Sequence, residues 1–263
     1  MRHDFSRYDA VLHVAAIVHQ PHQQDRDLYS RVNRDLPRAI CRQAVGQGVK
    51  QFVFLSTMGV FGVAPSRGGE GKITASTECR PSSHYGESKL AAERDLQEMQ
   101  REHPFALSII RPPMVYGRGC PGNYFHRLMR MGRLLPAFPL ARSNRLSMIG
   151  IGNLCELLRL IIEGESAGIY CPDDRDGFGT EQRLSAIASL HGRRIRMSRV
   201  LGLPIRWLPW KKLDSLFGDL YYSDDFNHFG NRYVIDSFRD TVRRIVLPGP
   251  QTPRSRVDRG SRC

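Results

Sequence analysis

Tyr85 and Lys89 stand four residues apart in the stretch SSHYGESKLAAE, where a helix is predicted to begin. Side chains at this spacing lie on one face of a helix, one turn apart. A nearby ammonium group favours the phenolate and lowers the pKa of a tyrosine from its usual value of about 10. Such a tyrosine can accept a proton from a hydroxyl group while a hydride leaves the same carbon. The pair therefore predicts acid–base chemistry coupled to hydride transfer, although an exposed helix start without any catalytic role would show the same spacing.

Small polar residues end the two apolar runs that flank this helix. Ser56 and Thr57 follow the run KQFVFL, and Arg111 follows the run FALSII. Both runs are typical of buried parallel strands. Because right-handed crossovers place the carboxyl ends of parallel strands on one edge of a sheet, these residues are expected to lie near Tyr85. A serine or threonine hydroxyl there can hydrogen-bond the oxygen that reacts.

Predicted strands and helices alternate along the first half of the chain. A strand in YDAVLHVAAIV is followed by a helix over residues 25–49, and the strand, helix and strand around the Tyr85 motif come next. This order is typical of a doubly wound α/β fold. After the stretch VYGRG the pattern changes: helices are predicted near 123–133 and 153–163, a strand in SAGIYCP, and two more helices in TEQRLSAIASLHGRRI and DSFRDTVRRIV.

Composition limits the classes of partner. The net charge is +13, and 34 arginines but five lysines supply the positive charge. The arginines are dispersed, without an aromatic-interleaved stripe or a nucleic-acid-binding motif, so no nucleic-acid partner is expected. A phosphate-bearing small ligand agrees with the charge equally well. No apolar run approaches the length of a membrane span, and no membrane partner is expected.

Cysteine and histidine spacing predicts neither a disulfide framework nor a metal site. The six cysteines form no CxxC pair, which favours reduced thiols and a cytoplasmic location. His13, His19 and His22 are close in sequence but lack acidic or cysteine ligands at a useful spacing. The stretch GRGCPG matches a G-x-G-x-x-G pattern, but Pro121 removes a backbone donor that a phosphate loop needs. We interpret it as a turn before a substrate-binding segment.

Several segments together resemble the extended short-chain dehydrogenase/reductase family, and in particular its NAD-dependent nucleotide-sugar epimerases and dehydratases. The resemblance rests on DAVLHVAA, VKQFVFLSTMGVFG, YGESK and IIRPPMVYG, which occur in the family's order and approximate spacing. The region from GNYFHRLMRMGRLLPAFP to NRLSMIGIGNLCELLRLIIE is further similar to UDP-glucose 4-epimerase-like proteins of surface-polysaccharide biosynthesis. The resemblance covers roughly residues 8–245.

The resemblance implies a Rossmann-like, doubly wound parallel sheet that binds NAD, with NADP left open. It implies a remaining dinucleotide-binding part over residues 1–118, a nucleotide-sugar-binding subdomain over 119–246 and a basic disordered tail over 247–263. The implied activity is a UDP-sugar 4-epimerase that transfers a hydride reversibly through a 4-keto sugar. A 4-keto-sugar reductase that consumes NADH or NADPH, and an inactive or merely sugar-binding protein, are the alternatives. The expected partner is a nucleotide sugar, and a homodimer stays open.

The same resemblance implies roles for individual residues, carried over by position. Tyr85 would be the general acid/base, Lys89 its partner and the ribose contact, and Thr57 with the adjacent Ser56 the catalytic hydroxyls. The implied cofactor-binding residues, besides Tyr85 and Lys89, are Ala15, Ala16, Asn33, Arg111, Pro112 and Pro113. The implied substrate-binding residues are Thr57, Asn123 and Arg145.

Two features depart from the family's pattern. The arginine that clamps the diphosphate aligns with Leu146, which leaves the adjacent Arg145 as its stand-in. The family also opens with a strand, a glycine-rich phosphate loop and a helix, whereas this sequence begins at what would be the fourth strand. The N-terminal glycine-rich segment, roughly sixty residues in the family's arrangement, is therefore expected to be missing from this sequence.

Overall fold

The structure is a computed structural model. It describes residues 3–18, 25–67, 71–120, 123–140, 143–207 and 211–247. The strands are β1 (Ala10–His13), β2 (Gln51–Leu55), β3 (Lys72–Ile73), β4 (Ala106–Ile110), β5 (Met114–Tyr116), β6 (Ala137–Pro139), β7 (Met148–Gly150), β8 (Gly168–Tyr170), β9 (Arg196–Ser198) and β10 (Tyr221–Tyr222). The α-helices are α1 (Arg26–Ser30), α2 (Leu36–Gly46), α3 (His84–Glu102), α4 (Asn123–Leu134), α5 (Ile151–Glu163), α6 (Thr180–Leu190), α7 (Arg199–Trp207), α8 (Lys211–Phe217) and α9 (Phe238–Val246).

Four parallel strands form the main sheet in the order β1-β2-β4-β8. The middle strand β2 is buried on both faces, which explains why its sequence is a continuous apolar run and not an alternating one. Phe52 and Phe54 pack under α2 and α3, whereas Val53 packs on the opposite face with α5. The sheet is therefore a layer between helices, and its carboxyl edge is the place where polar side chains can gather.

A second hydrophobic core lies away from this sheet. It joins α4, α6 and α9 around the buried side chains of Tyr116, Leu128, Leu184 and Phe238. Two-stranded parallel pairs, β5 with β7, β6 with β9 and β3 with β10, connect distant parts of the chain. The main sheet takes β8 from beyond residue 118, and the predicted domain division at that position stays a prediction.

The predicted α/β class with parallel strands is confirmed. The first strand is shorter than the apolar run that predicts it, because residues after His13 leave the sheet as a connection. The helix predicted over 25–49 consists of α1, a π-helical turn at Arg31–Asp35 and α2. The tail predicted to be disordered lies, beyond Leu247, outside the described residues. Within the part of the chain that the structure describes, no helix is long and apolar enough to cross a bilayer.

Candidate active site

The start of α3 presents Tyr85 and Lys89 to the carboxyl edge of the sheet. Ser83 caps this helix, with its hydroxyl accepting from the backbone N–H of Gly86 at 3.1 Å. A side chain at Gly86 would bring a Cβ to 2.8 Å from the carbonyl oxygen of Gly59. The glycine between tyrosine and lysine therefore allows α3 to begin in close contact with the short 3-10 helix at Met58–Phe61.

That 3-10 helix brings the second hydroxyl group to Tyr85. Thr57 is its N-cap and accepts from the backbone N–H of Gly59 at 3.1 Å. The Thr57 hydroxyl is also close enough to the Tyr85 phenol to act on its pKa, which it lowers. The structure thus brings together Thr57, Tyr85 and Lys89, as the sequence predicts, and we call these three residues the Tyr85 edge.

Ser56 has a different position from its neighbour. Its hydroxyl donates to the carboxylate of Glu93 at 2.5 Å, and the side chain is buried. Its role as a catalytic hydroxyl stays a prediction, because it is Thr57 whose hydroxyl lies near the Tyr85 phenol. The contacts of Ser56 make it a support for α3.

Lys89 is almost completely buried, with 1% of its surface exposed. Its ammonium donates to the carbonyl oxygen of Leu55 at 2.7 Å and lies 4.4 Å from the centre of the Phe54 ring. Burial lowers the pKa of Lys89 to about 8, and the charge of Glu93 opposes this shift. The lysine is consequently poised between its two protonation states near neutral pH.

The pKa of Tyr85 differs from the expectation. The sequence predicts that Lys89 lowers this pKa, but burial raises it, and the nearby Thr57 hydroxyl opposes the rise. The prediction of a lowered Tyr85 pKa is wrong for the protein without cofactor or substrate. The Lys89 ammonium donates to the backbone of β2. The phenol is therefore protonated at neutral pH in this structure.

Glu93 is the residue that the sequence reasoning missed. It is buried and lies four residues after Lys89 on α3, and its carboxylate accepts from Arg111 Nε at 3.1 Å and Nη2 at 2.6 Å. Together with the bond from Ser56, this links the ends of β2 and β4 to α3. A glutamate in a helix is usually exposed, so helical periodicity alone gives no reason to expect Glu93 in a buried network. Its spacing of four residues from Lys89, which places both on one helix face, is the sequence feature that could have indicated it.

Asn33 organises the connection that follows β1. Its side chain is fully buried, accepts from the backbone N–H of Ile17 at 2.9 Å and donates to the carbonyl of Ile17 at 3.0 Å. It also donates to Ser88 on α3 at 3.1 Å. Asn33 thereby holds the connection containing Ala15 and Ala16 beside α3, and Ala15 is exposed. The cofactor contacts predicted for these residues stay predictions.

The segment from Arg111 to Pro113 is buried between β4 and β5. Arg111 stacks over the Phe61 ring at 5.0 Å, and its carbonyl oxygen accepts from the Tyr222 hydroxyl at 2.7 Å. The carbonyl oxygen of Pro112 accepts from the backbone N–H of Met58 at 2.8 Å. These bonds fix the segment against the 3-10 helix, and its predicted place beside a nicotinamide stays a prediction.

Arg145 lines a small pocket with a cavity volume of about 20 Å³. Its guanidinium lies 4.3 Å from the centre of the Tyr221 ring, and Asp173 and Arg175 line the same pocket. Leu146 is buried and pairs with Leu220 as an isolated bridge, so it does not replace an arginine function. The helix α4 begins at Asn123, but the side chain of Asn123 lies outside the described part.

The remaining sequence candidates have limited structural detail. Gly117 and Gly119 of GRGCPG have positive φ angles of 159° and 78°, as a turn before α4 requires, and residues 121–122 lie outside the description. His13 is buried, stacked on Phe52 and Phe54, and its Nε2 has no hydrogen-bond partner within the described residues. His19 and His22 are not described. Across the described ranges, no cluster of three potential metal ligands occurs.

The chemistry of the Tyr85 edge suits a nicotinamide nucleotide with its substrate. It offers two neighbouring hydroxyl groups and, one helical turn along α3 from Tyr85, a buried ammonium. Hydroxyl groups can bind a reacting oxygen, and an ammonium can bind ribose hydroxyls. The roles predicted for these residues in hydride transfer stay predictions.

The comparison with known families agrees with this geometry. Residues 2–141 match the NAD dependent epimerase/dehydratase family, and the chain belongs to that family. The family consists of NAD-dependent enzymes. The sequence resemblance to extended short-chain dehydrogenases/reductases is thereby confirmed.

Two curated relatives, both 4-epimerases, are similar to this chain over most of its length. The chain is 30% identical over 190 residues to a UDP-glucose 4-epimerase of Vibrio cholerae, covering 68% of this chain and 56% of that protein. It is 27% identical over 237 residues to an N-acetyl-alpha-D-glucosaminyl-diphospho-ditrans,octacis-undecaprenol 4-epimerase of Escherichia coli O157:H7, covering 88% of this chain and 66% of that protein. The chain thus spans less than two thirds of the length of either relative.

Solved structures share the fold. A UDP-glucuronic acid 4-epimerase from Bacillus cereus in complex with NAD superposes with a TM-score of 0.67 at 16% identity, covering 92% of this chain and 75% of that structure. A UDP-N-acetylglucosamine 4-epimerase from Bacillus cereus gives a TM-score of 0.66 at 15% identity, covering 91% and 76%. At such identities the likeness establishes the fold.

Proposed function

We propose that this protein is an NAD-dependent 4-epimerase of diphosphate-linked sugars. The observation that carries the proposal is the proximity of the Tyr85 phenol to the Thr57 hydroxyl, one helical turn along α3 from the buried Lys89. The UDP-glucose 4-epimerase relative supports a UDP-sugar as the substrate. The more extensive match to the undecaprenol-linked relative supports a lipid-linked diphosphate sugar as the second candidate.

The proposed reaction uses each residue of the Tyr85 edge at a defined atom. The Tyr85 phenol is protonated in the protein without cofactor, whereas the reaction requires its phenolate form. As phenolate, Tyr85 would accept the proton of the sugar C4 hydroxyl through its phenolic oxygen, while Thr57 hydrogen-bonds the same substrate oxygen. Lys89 would bind ribose hydroxyls of the cofactor, and its charge would favour that phenolate when the cofactor is bound. When bound, NAD supplies reversible hydride acceptance. Return of the proton from Tyr85 to the C4 oxygen of the 4-keto sugar would complete the part of the residues in forming the C4 epimer.

The diphosphate of the substrate would bind in the pocket that contains Arg145. Arg145 is held over Tyr221, whereas Arg175 on the same pocket is ion-paired with Asp173 at 3.4 Å, so Arg145 is the candidate contact for the diphosphate. Arginine is suited to diphosphate because its donors match phosphate oxygens in pairs. Asn123 at the start of α4 remains a proposed contact on the strength of the family resemblance.

The test is an NMR assay of configuration at sugar C4 with the 263-residue chain and NAD. UDP-glucose, UDP-N-acetylglucosamine and N-acetylglucosaminyl-diphospho-undecaprenol are supplied separately. The proposal expects conversion of at least one of them to its C4 epimer without net formation of NADH, and none with Tyr85→Phe. Stoichiometric consumption of NADH with a 4-keto sugar, and no epimerisation, would instead assign the reductase function.

A further inference from the structure

One stretch of the chain combines positive charge with exposed apolar side chains. Residues 193–203 contain four arginines and no aspartate or glutamate. We call residues 193–203 the acid-free segment. The two tryptophans of the protein, Trp207 and Trp210, follow it within seven residues of sequence.

The acid-free segment ends in the first turns of α7, which packs against β6. Within residues 199–203, the part of α7 whose burial is described, Gly202 is buried, whereas Val200, Leu201 and Leu203 are exposed at 75%, 53% and 56%. Val200 and Leu203 are three residues apart and lie on one face of the helix. Three large apolar side chains on one exposed turn indicate a contact surface and not a core helix.

Exposed arginines surround this apolar turn. Arg194, Arg196 and Arg199 are exposed and immediately precede it in the chain. Arg193 is also exposed and donates to the carbonyl oxygens of Arg133 and Leu134 at the end of α4, which fixes the loop before β9. The arginines and the apolar turn are therefore presented by one packed part of the protein.

We infer that the acid-free segment binds the surface of an anionic phospholipid bilayer, with the apolar turn of α7 entering the interface. An apolar helix face preceded by exposed arginines is the chemistry that the lipid headgroup region favours. Anionic headgroups supply the complementary charge. The segment lies on the membrane in this arrangement and does not span it.

Two other partners fit the same surface less well. Nucleic acid would use the arginines, but binding to a phosphate backbone does not require three exposed aliphatic side chains. A second copy of the chain would place two acid-free segments against each other, and their like charges would repel. A bilayer satisfies both the charge and the apolar side chains.

The inference goes beyond the proposed reaction and does not depend on it, because membrane binding can be measured without turnover. The chain is sedimented with vesicles of phosphatidylethanolamine and phosphatidylglycerol, and separately with vesicles of phosphatidylcholine. We expect co-sedimentation with the anionic vesicles, weakened by added salt. Because both tryptophans follow the acid-free segment within seven residues of sequence, their fluorescence should shift to shorter wavelength and be quenched by brominated lipid.

The decisive comparison is between two double variants that each add two negative charges, one pair on α7 and the other pair elsewhere on the surface. Val200→Glu with Leu203→Glu should weaken binding to anionic vesicles by at least about tenfold. Ile235→Glu with Leu247→Glu is the matched control, since these side chains are exposed at 59% and 60% outside the segment. The control should bind like the unchanged protein, and circular dichroism verifies that both variants are folded.

Three outcomes would overturn the inference. One is absence of binding to anionic vesicles, and another is equal binding by the α7 variant and its control, which would place any adsorption elsewhere. The third is a dimer in sedimentation velocity that the α7 substitutions dissociate, which would assign the surface to a second copy. If vesicle binding is absent and the chain binds duplex DNA tightly, the arginines of this surface serve nucleic-acid binding instead.

Discussion

At the Tyr85 edge the polar side chains are buried and are held by several elements at once, whereas in the acid-free segment the charged and apolar side chains are exposed on one helix and its approach. Lys89 and Glu93 are each 1% exposed, while Val200 is 75% exposed. Buried polar groups must be satisfied in one geometry, so the first region is rigid by construction. Exposed groups need no such geometry, which suits a surface that meets a fluid partner. The comparison separates a region built for chemistry from one built for attachment.

The largest effect is expected from Tyr85→Phe, which removes the phenol that exchanges the proton. Loss of a positioned acid–base group lowers turnover by roughly 10²–10⁴-fold. The NMR assay of C4 configuration measures this loss, and Tyr8→Phe, at an exposed tyrosine, should keep full activity. A decrease of less than about tenfold for Tyr85→Phe would show that another group carries the proton.

Glu93→Gln tests whether the buried network supports the Tyr85 edge. The substitution leaves the Arg111 guanidinium buried without a carboxylate, and we expect a loss of about 3–5 kcal/mol in the free energy of unfolding, measured by urea titration. The substitution should also lower the pKa of Lys89, because the negative charge of Glu93 raises that pKa in the folded protein.

The pKa of Lys89 can be read directly by NMR of 15N-labelled lysine, since the chain has only five lysines. In the unchanged protein Lys89 should lose its proton at a pH of about 8, so it is charged below this pH and neutral above it. The charged and titratable groups that act on it, or on which it acts, are Glu93 on α3 and His13 on β1. Asp176→Asn, which breaks the ion pair with the buried Arg183, is the control that destabilises the fold and leaves the Lys89 titration unchanged. An unchanged pKa in Glu93→Gln would contradict the proposed support.

Gly86→Ala tests whether the close packing of α3 against the 3-10 helix holds the Tyr85 edge in place. The new Cβ would lie 2.8 Å from the carbonyl oxygen of Gly59 and 3.0 Å from Pro81 Cβ. We expect a loss of about 1–3 kcal/mol in stability and lower turnover, because α3 and Thr57 must move apart. Gly46→Ala is the matched control within α2, where nothing lies within 4 Å of the new Cβ. If Gly86→Ala matched that control in stability and activity, the close approach would not matter.

The smallest effect on activity is expected from a substitution in the pocket that Arg145 lines. Arg145→Ala should raise KM for the diphosphate-linked sugar by about tenfold with little change in kcat, because a charge-assisted contact is lost in binding. Arg159→Ala on α5 removes an exposed ion-paired arginine and should leave KM unchanged. A fall in kcat with constant KM would place Arg145 in the chemical step instead.

Much of the fold and the centre of the site follow from local sequence patterns. Apolar runs predict β2 and β4, helical periodicity predicts α3, and the spacing of Tyr85 and Lys89 survives in the structure because one helix determines it. The network around Glu93 depends on Arg111, 18 residues away on another element, and local periodicity contains no such information. The pairing of β3 with β10, Lys72 with Tyr221, is likewise a property of tertiary packing.

The raised pKa of Tyr85 shows the same limit at the level of chemistry. The sequence places an ammonium near a phenol, but the backbone of Leu55 receives the hydrogen bond from that ammonium. Burial then decides the direction of the shift, and burial is a property of the assembled fold.

The most direct test of the account is a calorimetric titration of NADH into the folded 263-residue chain, compared with Lys89→Gln. The account predicts saturable binding with a Kd on the order of micromolar, weakened in Lys89→Gln and at pH values above the Lys89 pKa of about 8. Absence of binding up to millimolar NADH, in a chain that circular dichroism shows to be folded, would contradict the assignment of the Tyr85 edge as a nicotinamide site.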